Sequence, residues 1–259
     1  MKPASGLRLA VVGKGGVGKS FIAGTLARLL AADGRKVVVL DSDPVAGAAV
    51  SMGMGVVTDS MLADAAFESP NGWRLHPGMG AATIIKSRSA VGPDGVRLLQ
   101  SGKADVGGMS GTWPSIRAFG QVTRRLASDG VLGDWDVIGD LPAGPRHAAF
   151  NWAPYADTYL VVTTAGSMSL MTARRMIRLA RQRGAEVLVV ASRVESHSDT
   201  SAVAGWLDLP VFMSIPTDDA VREAEAGGLA PFDVAMDGPA LQQVRALADR
   251  LVPSRKVNS

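Results

Sequence analysis

The run Gly13-Lys14-Gly15-Gly16-Val17-Gly18-Lys19-Ser20 limits the chemistry open to this chain. It fits G-x-x-x-x-G-K-[ST], and it lies between a strand-like run and a helix-like one. Glycines there let backbone N–H groups converge on phosphate oxygens that a Cβ would keep away. A helix starting at the loop turns its positive end toward the same anion. In such a loop Lys19 serves the β- and γ-phosphates of a nucleotide, and the Ser20 hydroxyl serves magnesium. Gly13 through Gly18 supply the cradle, and Phe21 is grouped with the nucleotide contacts.

Two further runs end in acids. Val37-Val38-Val39-Leu40 leads into Asp41-Ser42-Asp43-Pro44. Acids at i and i+2 of an extended chain point the same way. Ligands of open α/β sheets sit at the carboxyl ends of strands, so Asp41 and Asp43 are expected to face the phosphates. Asp-Pro also reads as the start of a turn, which is the plainer alternative for Asp43. The second run, Trp135-Asp136-Val137-Ile138-Gly139, ends in Asp140 and continues Leu141-Pro142-Ala143-Gly144.

A framework of alternating strands and helices has to hold these groups. Strands are expected at Leu7–Val12, Val37–Leu40, Val96–Leu99, Trp135–Gly139, Tyr159–Thr163, Val187–Ala191 and Val211–Ile215. Most are near-continuous β-branched runs, as in strands buried on both faces. Helical spacing marks Ser20–Ala32, Pro114–Ser128, Leu170–Arg183 and Asp237–Leu251. The fold class is α/β: a mainly parallel, twisted sheet with helices on both faces. No repeat or linker divides the chain, so residues 1–259 are expected to form one domain, with 1–6 and 253–259 as flexible tails. Asn71–Gly95, rich in Gly, Ser and Pro, is expected to be irregular, a short hairpin plus an exposed loop.

Composition removes several function classes. There is no cysteine among 259 residues, which excludes disulfides, thiolate metal sites and cysteine nucleophiles. A net charge of +3 is too small to mark a nucleic-acid binder. No signal peptide or membrane-spanning apolar stretch is evident, and a cytoplasmic location is expected. His76, His147 and His197 stand at no metal-ligand spacing, and no transition metal is expected.

With Lys14 the loop reads K-G-G-x-G-K-S, and it resembles the MinD/ParA family of deviant Walker A ATPases, SIMIBI-like P-loop proteins. The resemblance implies ATP and Mg2+ as ligands. It implies a homodimer in which Lys14 of one subunit reaches the phosphates held by the other, supplying charge where charge develops. It assigns Asp43 to the attacking water and places Asp41 near magnesium through water. Asp140-Leu141-Pro142-Ala143-Gly144 looks like the family's D-x-P-A-G, with Asp140 on a magnesium-bound water and the Gly144 N–H on the γ-phosphate. Pro145-Arg146-His147 departs from the acidic residue often found next, and His147 reads as a solvated loop residue. Ser192 stands where the family usually has an adenine-reading Asn, followed by Arg193. Ile215-Pro216-Thr217-Asp218 resembles its I-P-x-D, which places Pro216 and Asp218 at the adenine.

Three roles remain open within that family. Gly95–Gly108 resembles the branch that matures carbon monoxide dehydrogenase by inserting nickel, but Gly111-Thr112-Trp113-Pro114 stands where that branch has C-x-C before Pro. Neither Gly nor Trp replaces a soft ligand. An ATPase loading or remodelling a client protein, such as a metalloenzyme, is the favoured reading. A positioning ATPase on DNA or a membrane is the second, with Arg174, Arg175, Arg178, Arg181 and Arg183 clustered on one helical stretch. The last helix has no aromatic residue and reads as a core cover rather than a membrane anchor. A regulatory binder with negligible turnover is the third.

Overall fold

The computed structural model describes residues 6–43, 47–55, 57, 62, 64–102, 113–128, 132–144 and 151–252, with the backbone alone at Trp113. In chain order it contains β1 (Arg8–Gly13), α1 (Lys19–Ala32), β2 (Val37–Asp41), α2 (Gly47–Ser51), β3 (Ala66–Ser69), β4 (Gly72–Leu75), α3 (Ala81–Arg88), β5 (Ala90–Val91), β6 (Arg97–Gln100) and α4 (Trp113–Ser128). Then follow β7 (Asp136–Asp140), β8 (Thr158–Thr163), α5 (Ser167–Arg181), β9 (Glu186–Val194), α6 (His197–Leu207), β10 (Val211–Pro216), α7 (Asp219–Ala226), α8 (Pro231–Val234) and α9 (Pro239–Leu251).

Eight strands form one sheet in the order β10-β9-β8-β1-β7-β2-β6-β5. Every pairing is parallel except that of β5 with β6 at the edge. Alternation along β1 shows how both faces are filled. Leu9 and Val11 join Leu26, Leu30, Val244 and Leu247 under α1 and α9. Ala10 and Val12 join Phe119, Val122, Leu170 and Met176 under α4 and α5. The last helix thus covers the core, as its sequence suggested, with Leu241, Val244 and Leu247 buried.

Arg28 holds α1 in place from its buried side. Its Nε donates to Asp94 and one terminal nitrogen to Asp233, each at 2.8 Å, and the other donates to the Met52 carbonyl at 2.8 Å. The guanidinium also lies 4.4 Å from the centre of the Phe232 ring.

Two expectations need correction. The segment 71–95 is not mainly loop: besides β4 of a β3–β4 hairpin it carries α3, which buries Ile84 and Ile85. Eight residues with two large apolar side chains give too few turns to show a helical period. Gly6, expected in the flexible tail, is buried and donates its N–H to Gly133 at 2.7 Å. Residues 1–5 and 253–259 lie outside the described residues.

Candidate functional site

β1 sits mid-sheet, so the loop that follows it emerges at the centre of the carboxyl edge. Gly13 packs so closely on the Val162 carbonyl that a Cβ has no room. Gly16 and Gly18 take φ of 78° and 88°, left-handed values that suit glycine, and Gly18 caps α1. Val17 is buried beneath the loop, while Lys14, Gly15 and Gly16 are exposed. The two lysines therefore differ in kind. Lys19 is 7% exposed and its Nζ lies 3.4 Å from the Lys14 carbonyl, whereas the Lys14 side chain stands in solvent.

The segment after β7 folds over this loop. Leu141 N–H donates to the Val11 carbonyl at 3.2 Å and Gly144 N–H to the Gly13 carbonyl at 3.3 Å. Gly144 has φ 92°. Gly15 faces Ala143 at ordinary contact distance.

β7 carries a buried acid at each end, and the two are treated oppositely. Asp136 is chelated by Arg35, with contacts of 2.5 and 2.6 Å, and accepts the Leu7 N–H at 2.8 Å. Asp140 is equally buried, yet neither of its carboxylate oxygens has a hydrogen-bond partner among the described residues. Burial raises its pKa; the Ser20 hydroxyl and the Lys19 ammonium oppose that rise without reaching hydrogen-bond geometry. An orphaned buried carboxylate is costly, and a cation supplied from outside removes that cost.

Asp41 is the register partner of Asp140 on β2 and is also fully buried. One oxygen accepts the Asp43 N–H at 2.9 Å, and the other accepts the Gln100 side-chain N–H at 3.4 Å. Burial, then the nearby Asp140 charge, push its pKa up. Asp43 stands half-buried just beyond β2. The Ser20 hydroxyl faces Gly47 at the start of α2, where a Cβ would lie 2.8 Å from it. Ser20, Asp41 and Asp140 are thus brought together. A hydroxyl and acids with oxygen donors only suit magnesium, which takes one or two carboxylates and fills its other positions with water and phosphate.

A cleft of about 300 Å³ opens beside Gly18 and Phe21. Ser192, Arg193, Pro216 and Asp218 line it, so the residues expected at the adenine do converge. Ser192 lies against Gly18, and Arg193 takes φ 55°, uncommon for a side-chain-bearing residue. Asp218 is held by structure: one oxygen caps Ala220 N–H at 3.0 Å and the other accepts Ala240 N–H at 3.1 Å.

Sequence reading missed Gln100, Gly47, Arg222 and Glu225. Val221, Arg222 and Glu225 share one side of α7 at i, i+1 and i+4, a spacing that could have been extended from Asp218. The cleft wall desolvates Glu225 and raises its pKa, with Arg193 opposing. Gln100 needed the β2–β6 register, Asp41 opposite Gln100, which no local pattern supplies. Pro145, Arg146, His147, Gly111 and Thr112 fall outside the described residues.

A family model, the CobQ/CobB/MinD/ParA nucleotide binding domain, matches residues 9–232. The carbon monoxide dehydrogenase accessory protein CooC of Rhodospirillum rubrum is 28% identical, over 97% of this chain and 100% of its own length. An iron-sulfur cluster carrier protein of Saccharolobus solfataricus is 25% identical, over 93% of this chain and 81% of its own. Among solved structures, the septum site-determining protein MinD of Pyrococcus horikoshii, complexed with Mg-ADP, superposes with a TM-score of 0.71 at 19% identity, covering 95% of each chain. A ParA family ATPase of Chlorobium tepidum gives 0.71 at 18% identity, covering 94% of this chain and 98% of that one. The central sheet, the glycine cradle on β1 and the match over residues 9–232 agree: the chain belongs to the CobQ/CobB/MinD/ParA family of nucleotide binding domains.

Proposed function

We propose that this chain binds and hydrolyses ATP with magnesium, closes as a homodimer around the nucleotide, and uses that cycle to load or mature a partner protein. The observation that carries the hydrolytic reading is Asp140, buried without a hydrogen-bond partner among the described residues beside Ser20 and Lys19. Ser20 and Asp140 would hold the magnesium ion, with Asp41 behind them. Bound there, the ion neutralises charge on the phosphates.

The chain's own groups divide the remaining work. Lys19, buried at the loop, holds the β- and γ-phosphates. Asp43 orients the attacking water and takes its proton. Lys14, exposed on the monomer, is free to reach a second subunit's phosphates. The Gly144 N–H is spent on the Gly13 carbonyl in this structure, so to meet a γ-phosphate it must let that bond go. Segment 141–144 would thereby report whether ATP or ADP is bound.

The partner-directed role is supported by two relatives whose names describe an accessory protein of a metalloenzyme and an iron-sulfur cluster carrier. This chain has no thiolate of its own to hold cargo, so its part is to drive a client rather than to carry a soft metal. Its last helix buries the apolar side that a membrane anchor would need exposed. No helix among the described residues is long and apolar enough to cross a membrane. Phosphate release from ATP, measured with and without magnesium for wild type and Lys19→Ala, tests the reading. Turnover that is absent in wild type, or equal in the two proteins, would overturn it.

A further inference from the structure

α5 presents a stripe to solvent that the nucleotide site does not use. Met171, Arg174, Arg178 and Arg181 stand at i, i+3, i+7 and i+10, the spacing of a seam along one side of a helix. Arg174, Arg178 and Arg181 line a cleft of about 570 Å³ against the end of α6, together with Gln182, Leu207 and Asp208. Arg174 lies 5.5 Å over the Trp206 ring, and Trp206 is 39% exposed. Met168 and Met171 continue the surface toward the start of the helix, 60% and 43% exposed.

Arg28, Arg35, Arg88 and Arg222 each pair with an aspartate, but no ion pair is made by Arg174, Arg178 or Arg181 among the described residues. Like charges at i, i+3 and i+4 repel and cost an exposed helix a few tenths of a kcal/mol each, on the order of the measured helix pairs. The helix C-terminus offsets this for Arg178 and Arg181, which lie in the last turn, but not for Arg174.

We infer that this face of α5 and α6 is the docking surface for an acidic amphipathic helix of a partner protein. Carboxylates at matching spacing meet the guanidinium forks in bidentate fashion. An apolar residue at the end of that helix covers Met171 and Trp206, the side-chain types enriched in protein interfaces. A nucleic-acid backbone would satisfy the arginines and leave the methionines and the tryptophan without apolar cover. The whole chain's +3 charge also gives little general attraction for it. The inference rests on the partner-directed reading above, but it is tested without nucleotide, so the two can fail separately.

The test uses the full chain and a fluorescent synthetic helix carrying Glu at i, i+3 and i+7, to meet the three arginines, and Leu at i+10, to cover Met171. A matched helix with Lys for Glu and a short DNA duplex are the comparison probes. Anisotropy should show binding of the acidic helix alone, weakened by salt. The Arg174→Gln/Arg178→Gln/Arg181→Gln variant should lose about tenfold or more in affinity while its ATP turnover stays unchanged and its melting temperature does not fall. Arg178→Glu, an independent variant, should show the same loss. No binding of the acidic helix, or equal binding to wild type and variants, overturns the proposal. Tighter binding of the duplex, lost in the same variants, overturns it in favour of a phosphate-binding face.

Discussion

Asp41 and Asp140 are register partners on adjacent parallel strands, and both are fully buried where β2 and β7 end. Burial raises the pKa of each, and the Asp140 charge adds to the rise at Asp41. Above the ordinary carboxylate range of about 4, the folded chain therefore keeps protons that the unfolded chain has released. The contribution of this pair to the stability of the nucleotide-free protein should be most favourable below the ordinary carboxylate range and fall away as pH rises through the raised values. Asp140→Asn removes a buried charge at nearly constant shape. It should flatten that fall and stabilise the protein by about 1–3 kcal/mol near neutrality, while turnover is lost. Denaturant melts across a pH series check this; a less stable Asn variant would show that the acid is compensated in the nucleotide-free protein.

Asp43→Ala should separate binding from turnover. The cradle of Gly13, Gly16, Gly18 and Lys19 does not involve this side chain, so ATP affinity should stay within a few fold. Hydrolysis should drop by about 100-fold or more, the usual scale for loss of a positioned base. Calorimetry and single-turnover assays read the two quantities. Unchanged turnover would reduce Asp43 to the turn residue that Asp-Pro also suggests.

Lys14 is the group whose role depends on a second subunit. In an Asp43→Ala background, where hydrolysis is removed, Lys14→Gln should weaken the ATP-bound dimer and leave nucleotide binding to the monomer intact. Two facing layers of phosphate repel unless cations intervene, and an isologous interface supplies one lysine to each. Light scattering with ATP decides the matter: equal dimerisation with and without Lys14 favours an ordinary monomeric P-loop ATPase.

Arg28→Met should cost about 2 kcal/mol in urea unfolding. The loss comes from the Met52 carbonyl, left without its donor, and from the link between α1 and α8. The carboxylate partners contribute less, because Asp94 and Asp233 are 34% and 47% exposed and rehydrate. A variant as stable as wild type would mean that packing against Phe232 alone fixes α1.

The sequence revealed groups whose neighbours are local or whose runs are long. The cradle from Gly13 to Ser20 is one continuous turn, and β1, β2, β7 and β8 are runs of buried residues with no competing period. Asp140 could be read as a strand-end acid. Its lack of a partner could not, since that depends on which side chains three strands bring near it. For Asp218 the resemblance implied a place at the adenine cleft, which it lines, but not its structural duty: both oxygens are held by helix N-termini, one of them in a helix beginning 21 residues on, at Pro239. α2 and α3 were missed because five and eight residues are too short for periodicity to speak.

The central place of β1 also governs how the protein is made. β1 leaves the ribosome well ahead of its two neighbours, β7 and β8, with Leu9 opposite Ile138 on one side and Thr158 on the other. A nascent chain ending before β7 holds every residue of the glycine loop and none of the strands that fix its direction. Closure of such distant pairings is slow, and until it happens the exposed apolar run of β1 is a hazard rather than a scaffold. Nucleotide capture therefore waits until β7 and β8 have been synthesised, and a product ending before β7 carries the complete loop but neither of the strands that flank β1.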